Sequence, residues 1–316
     1  MNLISLFYKC YAYFYHQRTK RLFGRIKFNT ALSLLTVKTM NLILPAYFKI
    51  TSNSRKHIVK GHLQSKDKII VSLTSFPARI EKVWLTIESL LRQKMKPDMI
   101  ILWLSKEQFL SINHLPKELK NLQKRGLSIR LMDGDIRSYK KYQYTIEEYP
   151  DATIILADDD IIYDIDLVSS LMEAHNEEPD VVCARYGYIM KRKYDGNISS
   201  YMTWEMIDKA TPASSEVFFG SGGGTLFTKS IMHPDLSNIN LARKLCPTAD
   251  DVYLNAMARL NNTKIRFVSG KYVLANLSIE NNITLSSTNI GKECQNDVQI
   301  KNLNDYYKNT INKMVF

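Results

Sequence analysis

Apolar and polar positions follow a regular pattern over most of the chain. Continuous apolar segments of the kind found in buried parallel strands occur at 68–74, 99–105, 127–133, 153–157 and 179–186. Between the first two segments, apolar side chains recur every three or four residues from Val83 to Leu91, which predicts an amphipathic helix. Strands that alternate with helices in this way predict an α/β fold with a mostly parallel sheet flanked by helices.

The pattern becomes less regular after residue 186. Residues 216–229 combine β-forming side chains with glycine, and residues 249–260 return to helical spacing. From Lys264 onwards the chain has a strand-like segment, an asparagine-rich stretch and a final helical segment. We therefore expect residues 67–316 to form one large α/β domain.

Charge divides the chain near residue 66. The 316 residues carry a formal net charge of +12, and all of it belongs to residues 1–66, which contain twelve Lys or Arg and no Asp or Glu. Aromatic residues are interleaved with these cations between Leu6 and Phe28. Such a mixture favours an anionic surface with an apolar layer beneath it, such as the cytoplasmic face of a membrane.

Residues 1–66 are therefore predicted to be a basic, aromatic, membrane-associating extension of a protein that is cytoplasmic and peripheral on the inner face of the plasma membrane. One alternative is that the aromatic side chains are buried on the main domain. Nucleic-acid binding is another, but no RNP, KH or zinc-finger pattern is present and we expect no nucleic-acid partner. A spanning helix is not expected either, because Lys38, Asn41 and Pro45 interrupt the most apolar window.

Composition excludes several broad classes of protein. Hydrophobic residues make up 45% and charged residues 23% of the chain, which is typical of a folded domain and not of a disordered one. The four cysteines are far apart and form no CxxC or Cys/His cluster. This spacing argues against a structural zinc site and against a disulfide scaffold.

Three consecutive carboxylates, Asp158, Asp159 and Asp160, follow the fourth predicted strand. Adjacent like charges beside a buried strand repel each other and lose hydration, so the arrangement calls for a compensating partner. Ligands bind at the carboxyl ends of strands in open parallel sheets, and hard dications prefer carboxylate oxygens. We therefore predict a Mg²⁺ or Mn²⁺ site here. The alternative is that these are capping or solvated loop acids.

An apolar strand that ends in a D-x-D triplet, in the fourth strand–helix unit, resembles the GT-A nucleotide-sugar glycosyltransferases. The segments VSLTSFPARI (71–80) and LADDDIIY (156–163) resemble family-2-like enzymes of bacterial lipopolysaccharide or capsule synthesis, and the resemblance covers about residues 67–260. It implies a GT-A fold and a nucleotide-sugar donor. It also implies Asp158 and Asp160 as metal ligands, and Asp158 and Asp159 at the donor.

A cationic segment ahead of the triplet adds to the resemblance. Arg137, Lys140 and Lys141 lie within residues 133–142, and any of them could bind a diphosphate. The resemblance favours Lys140 as the donor-site cation. An exposed, charged helix face is the alternative for each of the three.

A glycine-rich segment and an acidic pair complete the resemblance. Four glycines lie within residues 220–224, and the family's loop between donor and acceptor implies a role for Gly222, Gly223 and Gly224, with a tight turn as the alternative. In PTADDVYLN (247–255), the match to the family's Glu-Asp pair places Asp250 in the Glu position and Asp251 as the catalytic base. Because Asp replaces Glu, the choice between these two stays open, and helix N-capping is the alternative.

The nucleobase and the third metal ligand are less constrained. The resemblance implies donor contacts from four residues at and after the end of the first strand: Thr74, Ser75, Phe76 and Arg79. Residues 103–105 lack the acid with which many family-2 enzymes hold uracil, so the base stays open. The resemblance also implies a third metal ligand, which in GT-A proteins is often a C-terminal histidine. No histidine follows His233 in this chain, so a water, a phosphate or Asn276 is expected to complete the metal site.

These features together predict a hexosyltransferase. It would use a dication to move a sugar, with inversion, from a nucleotide-diphosphate donor, UDP by resemblance, to a glycan or lipid-linked acceptor in cell-surface polysaccharide synthesis. A sugar nucleotidyltransferase is one alternative, but it should carry a glycine-rich loop after the first strand, and residues 72–80 contain no glycine. A non-enzymatic membrane- or nucleic-acid-binding protein with structural acids is the other.

Overall fold

A computed structural model describes the backbone of residues 2–17, 25–52, 59, 68–268, 275–277 and 294–316, and the side chains of these residues except 16, 17 and 25–27. The predicted boundary at residues 66 and 67 and most of the asparagine-rich stretch lie outside these ranges. The helices are α1 Leu3–Gln17, α2 Arg25–Thr51, α3 Val83–Leu91, α4 Lys117–Asn121, α5 Lys140–Glu148, α6 Leu167–Glu177, α7 Ile239–Leu245, α8 Asp250–Leu260 and α9 Gln295–Ile311. The strands are β1 Ile69–Thr74, β2 Met99–Ser105, β3 Leu127–Met132, β4 Thr153–Ala157, β5 Ile161–Ile162, β6 Val182–Ala184, β7 Gly187–Ile189, β8 Glu205–Met206, β9 Thr211–Ser214, β10 Val217–Phe219, β11 Gly223–Thr228, β12 Ile265–Phe267 and β13 Ala275–Asn276.

One large sheet organises the described part of the chain. Its eight strands have the order β3-β2-β1-β4-β11-β6-β12-β9. β3, β2, β1 and β4 are parallel, whereas β11 runs antiparallel between β4 and β6. Two further pairings lie outside it, a three-stranded sheet β10-β7-β8 and the pair β13-β5. The predicted α/β fold, with a mostly parallel sheet flanked by helices, is confirmed.

The two faces of the sheet are covered by two apolar clusters. One cluster packs side chains of α5, α7, α8 and α9 against the sheet, and the other packs those of α3, α4 and α6. Strands β1 and β4 contribute alternate residues to both clusters, since successive side chains of a strand point to opposite faces. This burial on both sides is the reason why the strands appear in the sequence as continuous apolar runs.

The N-terminal segment forms two helices that pack on the second cluster. Side chains on the inner faces of α1 and α2 are buried in it, among them Tyr8, Leu44 and Phe48. Tyr8 and Phe48 are therefore buried on the main domain, as the alternative interpretation of the aromatic side chains expects. Other large side chains of the same helices are exposed, including Tyr13 and Leu42.

Helix α2 contains the three residues that interrupt the most apolar window of the sequence. It runs without a break through Lys38, Asn41 and Pro45, although the proline cannot donate a backbone hydrogen bond within the helix. Lys38 is exposed, and the Asn41 side chain donates to the carbonyl oxygen of Val37 at 2.8 Å, so neither residue leaves an unsatisfied polar group. By length and composition Phe28–Thr51 would be able to cross a membrane, and 22% of its most apolar window is buried inside the protein.

Candidate active site

The acid triplet lies at the carboxyl end of β4, beside the carboxyl end of β1. The two strands are parallel neighbours in register, with Ser72 opposite Leu156. The residues that follow each strand therefore meet at the same edge of the sheet. This geometry brings Ser75 and Arg79 of the first loop to the carboxylates of the second.

Asp159 is buried and tied to the first loop. Its carboxylate accepts hydrogen bonds from Ser75 Oγ at 2.5 Å and from Arg79 Nη1 at 2.7 Å, and its backbone carbonyl accepts from Thr86 Oγ1 at 3.0 Å. Burial raises the pKa of the Asp159 carboxyl, and the charge of Arg79 opposes that shift. With both oxygens engaged, Asp159 fixes the triplet to β1 and α3.

The Asp160 carboxyl has a strongly raised pKa. Burial and the neighbouring charge of Asp158 raise the pKa of its carboxyl to about 7, and Arg79 only partly compensates, with Nη1 3.0 Å from Oδ2 of Asp160. The guanidinium of Arg79 also lies over the ring of Phe76, 5.3 Å from its centroid. The predicted donor residues Ser75, Phe76 and Arg79 thus form one contact network with the triplet.

Lys141 joins the triplet to the acidic pair at the start of α8. Its Nζ lies 2.9 Å from Oδ1 of Asp158 and 3.1 Å from Oδ2 of Asp250, and its side chain is 3% exposed. Ser221, inside the glycine-rich segment, donates from Oγ to Oδ2 of Asp250 at 2.9 Å. Burial lowers the pKa of Lys141, but the charges of Asp158 and Asp250 outweigh it and the net shift is upward. Three motifs that are distant in the sequence therefore share one set of contacts.

The glycine-rich segment lies directly against the triplet. A Cβ atom at Gly222 would meet the Asp158 carboxylate at 1.8 Å, so this position has no room for a side chain. The carbonyl oxygen of Gly222 accepts hydrogen bonds from the Asp158 backbone N–H, at 3.2 Å, and from the hydroxyl of Tyr163. Gly224 has a φ of +96°, a conformation that favours glycine. The short segment between β10 and β11 is thus shaped around Asp158.

Asp250 and Asp251 have different surroundings although they are adjacent. Asp250 is buried and its Oδ2 is held by Lys141 and Ser221. Asp251 accepts a hydrogen bond at Oδ1 from the backbone N–H of Val252 at 2.9 Å, and burial together with the charge of Asp250 raises the pKa of its carboxyl to about 7. The Asp250 carboxylate is therefore held in place by two partners, whereas Asp251 can exchange a proton near neutral pH.

Tyrosines border the acidic pair. The ring of Tyr186 lies against Gly220 and Gly223, and its hydroxyl is 2.5 Å from that of Tyr188. Burial raises the pKa of Tyr186, and the neighbouring hydroxyls of Tyr188 and of Tyr15, in α1, raise it further, as does the charge of Asp251. Helix α1 therefore reaches the same end of the molecule as Asp251.

The carboxylates fit a dication that shares its coordination with a ligand. Within the described residues, five carboxylates (Asp158, Asp159, Asp160, Asp250 and Asp251) surround two cations, Arg79 and Lys141, which leaves a local excess of negative charge. No group of three or more His, Cys, Asp or Glu side chains in the described ranges is arranged to hold a metal ion by itself. Two partly exposed carboxylates, Asp158 and Asp160, completed by phosphate oxygens and water, match the coordination that Mg²⁺ prefers.

Some predicted residues are placed differently. Lys140, favoured by the resemblance, forms an ion pair with Asp135 and has its side chain 2% exposed, so Lys141 is the cation at the carboxylates. Thr74 donates from Oγ1 to the Trp103 carbonyl at 2.8 Å, which directs its hydroxyl along the sheet. Asn276, in β13, is paired with Ile161, next to the triplet, and its side chain is exposed.

Three residues of this network were not singled out by sequence reasoning as the ones that make it. The resemblance favours Lys140 over Lys141, and the rotation of α5 about its axis decides which of these two lysines faces the triplet. Ser221 was read only as part of a glycine-rich turn, and Tyr163 as part of an apolar run. A side-chain hydroxyl next to a glycine run is a weak signal, because such residues are common in ordinary turns.

Comparison with known proteins gives limited further information. No family model matches the chain, and no curated protein sequence matches it. Among solved structures, TarS 1-349 from S. aureus has a TM-score of 0.48 at 11% identity, covering 78% of this chain and 73% of its own. The mannosyltransferase PcManGT from Pyrobaculum calidifontis, in complex with GDP-Man and Mn²⁺, has a TM-score of 0.46 at 10% identity, covering 88% and 75%. A 4-diphosphocytidyl-2C-methyl-D-erythritol synthase has a TM-score of 0.42 at 11% identity, covering 72% and 97%. Scores this low establish neither a shared family nor a shared activity.

Proposed function

We propose that this protein is a metal-dependent, inverting glycosyltransferase. It moves a sugar from a nucleotide-diphosphate donor, UDP by resemblance, to a glycan or lipid-linked saccharide acceptor in the synthesis of a cell-surface polysaccharide such as lipopolysaccharide or capsule. The observation that carries the proposal is the contact of Lys141 with both Asp158 and Asp250, supported by Ser221. This contact connects the acid triplet, which resembles a metal site, with the glycine-rich segment and the acidic pair. A purely structural role for the acids would give no reason why these three motifs lie together.

Asp158 and Asp160 are the residues that would hold Mg²⁺ or Mn²⁺. When bound, such an ion supplies positive charge against the diphosphate of the donor. Asp159, held by Ser75 and Arg79, keeps the loop in place and leaves Asp158 and Asp160 to face the ligand. Arg79 also presents a guanidinium close to the predicted diphosphate position, where it can donate to phosphate oxygens.

Asp251 is the proposed general base. It would take the proton of an acceptor hydroxyl while that oxygen attacks the anomeric carbon, and the bond from this carbon to the nucleotide diphosphate breaks on the opposite face. A base is most effective when its pKa is close to the working pH, and burial raises the pKa of Asp251 to about 7. Asp250 is less suited to this role, because Lys141 and Ser221 already hold its carboxylate.

The membrane association predicted from residues 1–66 belongs to the same proposal. A lipid-linked acceptor would be met at the inner face of the plasma membrane. Lys9 and Lys38 are exposed on α1 and α2, where they can contact anionic lipid.

Thermal-shift measurements on the full chain test the donor and the metal together. The protein is heated with a panel of nucleotide-diphosphate sugars, in Mn²⁺ or in EDTA, and the same panel is applied to Asp160→Asn. We expect one nucleotide class to raise the melting temperature in Mn²⁺ only, since a ligand at 100 times its Kd stabilises by about 2.7 kcal/mol. The variant should lose this shift.

Two outcomes would overturn the proposal. A shift that persists unchanged in EDTA and in Asp160→Asn would remove the metal role of the triplet. Pyrophosphate release from a nucleoside triphosphate and a sugar phosphate, with no sugar transfer, would identify a sugar nucleotidyltransferase instead.

A further inference from the structure

Helix α2 exposes a row of large apolar side chains on the side opposite to the domain. Phe28, Leu35 and Leu42 are spaced by seven residues, so they lie almost in line along the helix. Leu42 is 79% exposed and Ile50 is 82% exposed. The row is completed by the flanking residues Leu34 and Ile43, which are also exposed. We refer to these six side chains as the outer face of α2.

The opposite side of the same helix is buried. Ser33, Met40, Leu44 and Phe48 pack towards the domain. A helix packed on a soluble domain normally turns a polar face to water. Here the side turned to solvent is apolar as well, over roughly 33 Å, at 1.5 Å per residue from Phe28 to Ile50. Single exposed apolar residues are ordinary, but a continuous row marks an interaction surface.

Charge identifies the kind of partner. The outer face carries Lys38 between Leu35 and Leu42, and residues 1–66 contain twelve Lys or Arg without one acid. An interface with another protein would ordinarily include acids that compensate the cations, and hydrogen-bonding groups on both partners. An anionic lipid surface, with phosphates above and acyl chains below, matches a row of apolar side chains beside an exposed lysine, in a segment whose sequence contains no acid.

The helix is held against the domain along its C-terminal half. Asn41 Nδ2 donates to the Asn276 carbonyl at 3.3 Å, Lys49 Nζ is 3.0 Å from Glu118, and Arg92 donates to the Phe48 carbonyl at 3.4 Å. A helix that crossed the bilayer would have to break these contacts or draw charged residues of the domain into the hydrocarbon. The outer face is therefore compatible with a helix lying in the plane of the interface.

We propose that the outer face of α2 docks on an anionic lipid bilayer, with the helix in the plane of the membrane and not across it. This deepens the membrane part of the proposed function, but it does not require sugar transfer. Helix α1 lies against α2 and also contacts the segment just after the triplet, where Ser5 Oγ donates to Asp164 at 3.0 Å and Tyr8 donates to the Ile162 carbonyl. Docking in this orientation brings the edge of the candidate active site close to the lipid.

Co-sedimentation with vesicles tests the surface. The purified full chain is mixed with vesicles of phosphatidylcholine and phosphatidylglycerol, or of phosphatidylcholine alone, without nucleotide sugar. We expect binding to the anionic vesicles, and about a hundredfold weaker partitioning for the double variant Leu42→Glu with Ile50→Glu, since each buried side chain contributes about tenfold. The matched control is Leu110→Glu with Ile311→Glu, two exposed apolar residues outside the extension, which should bind as the unchanged protein does.

Three results would overturn the proposal. Equal partitioning of the two double variants would show that the outer face does not touch lipid. Retention of the protein in cell membranes through alkaline carbonate extraction would show a crossing helix. The third result is a dimer in light scattering that the double variant Leu42→Glu with Ile50→Glu converts to a monomer, while neither the unchanged protein nor the variant binds vesicles. The outer face would then bind a second copy of the chain. Thermal shifts with nucleotide sugars are read separately, so failure of the docking surface and failure of the sugar-transfer proposal are distinguishable.

Discussion

At the scale of single residues, the environment of each carboxylate decides what it can do. Asp250 and Asp251 are adjacent and chemically identical, yet one is held by a lysine and a serine, and the other has a pKa raised to about 7. Asp159 is engaged by Ser75 and Arg79, whereas Asp158 is paired with Lys141 and Asp160 with Arg79. The sequence singled out these acids as candidates, and the structure brings them together, but the separate surroundings of each depend on contacts that only the fold creates.

Replacing Asp251 by Asn should lower the transfer rate by about 10²–10⁴ and leave donor binding intact, because a lost general base affects the chemical step. Initial rates of sugar transfer and donor-dependent thermal shifts measure the two effects. For the unchanged enzyme, the rate should rise with pH through about 7, where Asp251 loses its proton. A variant with near-normal turnover, or a rate independent of pH between 5 and 8, would contradict the assignment.

The same raised pKa values predict how stability depends on pH. Asp160 and Asp251 both have a pKa of about 7 in the folded state, above the ordinary value of about 3.9 that they regain on unfolding. Between these values the folded state binds more protons, so this contribution to the free energy of unfolding is present at acid pH and is lost as the pH rises to 7. The double variant Asp160→Asn with Asp251→Asn does not undergo this loss. In EDTA, the difference in free energy of unfolding between the variant and the unchanged protein should therefore favour the variant more at pH 8 than at pH 5. Urea midpoints at the two pH values measure this, and an unchanged difference would contradict it.

Lys141 should be among the most costly charged residues to replace. Lys141→Met leaves Asp250 buried without its cation, and breaking a buried pair costs about 3–5 kcal/mol. Urea unfolding measures the loss, and Asp250→Asn in the same chain should recover part of it. Lys301→Met is the control, since an exposed pair is worth at most about 1 kcal/mol, and here the lysine is 74% exposed. Equal midpoints for Lys141→Met and the unchanged protein would refute the proposed link.

At the scale of elements, the long periodic segments were predicted well and their orientation was not. Strands β1 to β4 and helices α3 and α8 lie where the apolar pattern predicts them, because that pattern is a direct consequence of burial on one or both sides. Lys141 contacts the carboxylates and Lys140 contacts Asp135, because adjacent residues of a helix differ by about 100° in direction. Helix α2 runs unbroken through Pro45, a residue that local propensity disfavours in a helix interior.

The loop between β10 and β11 gives a prediction at the same scale. In Gly222→Ala the new methyl group would collide with the Asp158 carboxylate, which must rotate away from Lys141. We expect metal-dependent donor binding to fall by at least about tenfold, which corresponds to about 1.4 kcal/mol. Gly196→Ala is the control, because a methyl group added there meets no atom within 4 Å, although the φ of +81° at this position disfavours alanine. Isothermal titration with the donor would contradict the prediction if both variants bind equally.

At the scale of the whole molecule, the basic extension and the α/β domain share one core. The charge pattern predicted a distinct extension, and no sequence pattern shows that Ile4, Met40 and Phe48 would be buried together with residues of the sheet. Burial of this kind depends on which elements the fold brings together. Helices α1 and α2 are far along the chain from the sheet residues that share this cluster, so no local sequence pattern indicates these contacts. The extension is therefore a structural part of the domain as well as a candidate contact with lipid.

Two residues of α2 separate these roles. Phe48→Ala removes a fully buried ring and should cost about 3–5 kcal/mol of unfolding free energy. Leu42→Ala, on the outer face of the same helix, should stay within about 0.5 kcal/mol. Chemical denaturation without lipid measures both. Were the extension an independent appendage, Phe48→Ala would leave the midpoint of the domain unchanged.

Docking of the outer face of α2 on a membrane, as proposed, would have a kinetic consequence. An enzyme adsorbed through this face and an acceptor anchored in the same leaflet are confined to one thin layer, so they meet by lateral diffusion and their effective concentration rises without any added contact between them. Turnover would then follow the surface density of the acceptor, and diluting the vesicles with inert lipid would slow the reaction even when the total amounts of enzyme and acceptor stay the same.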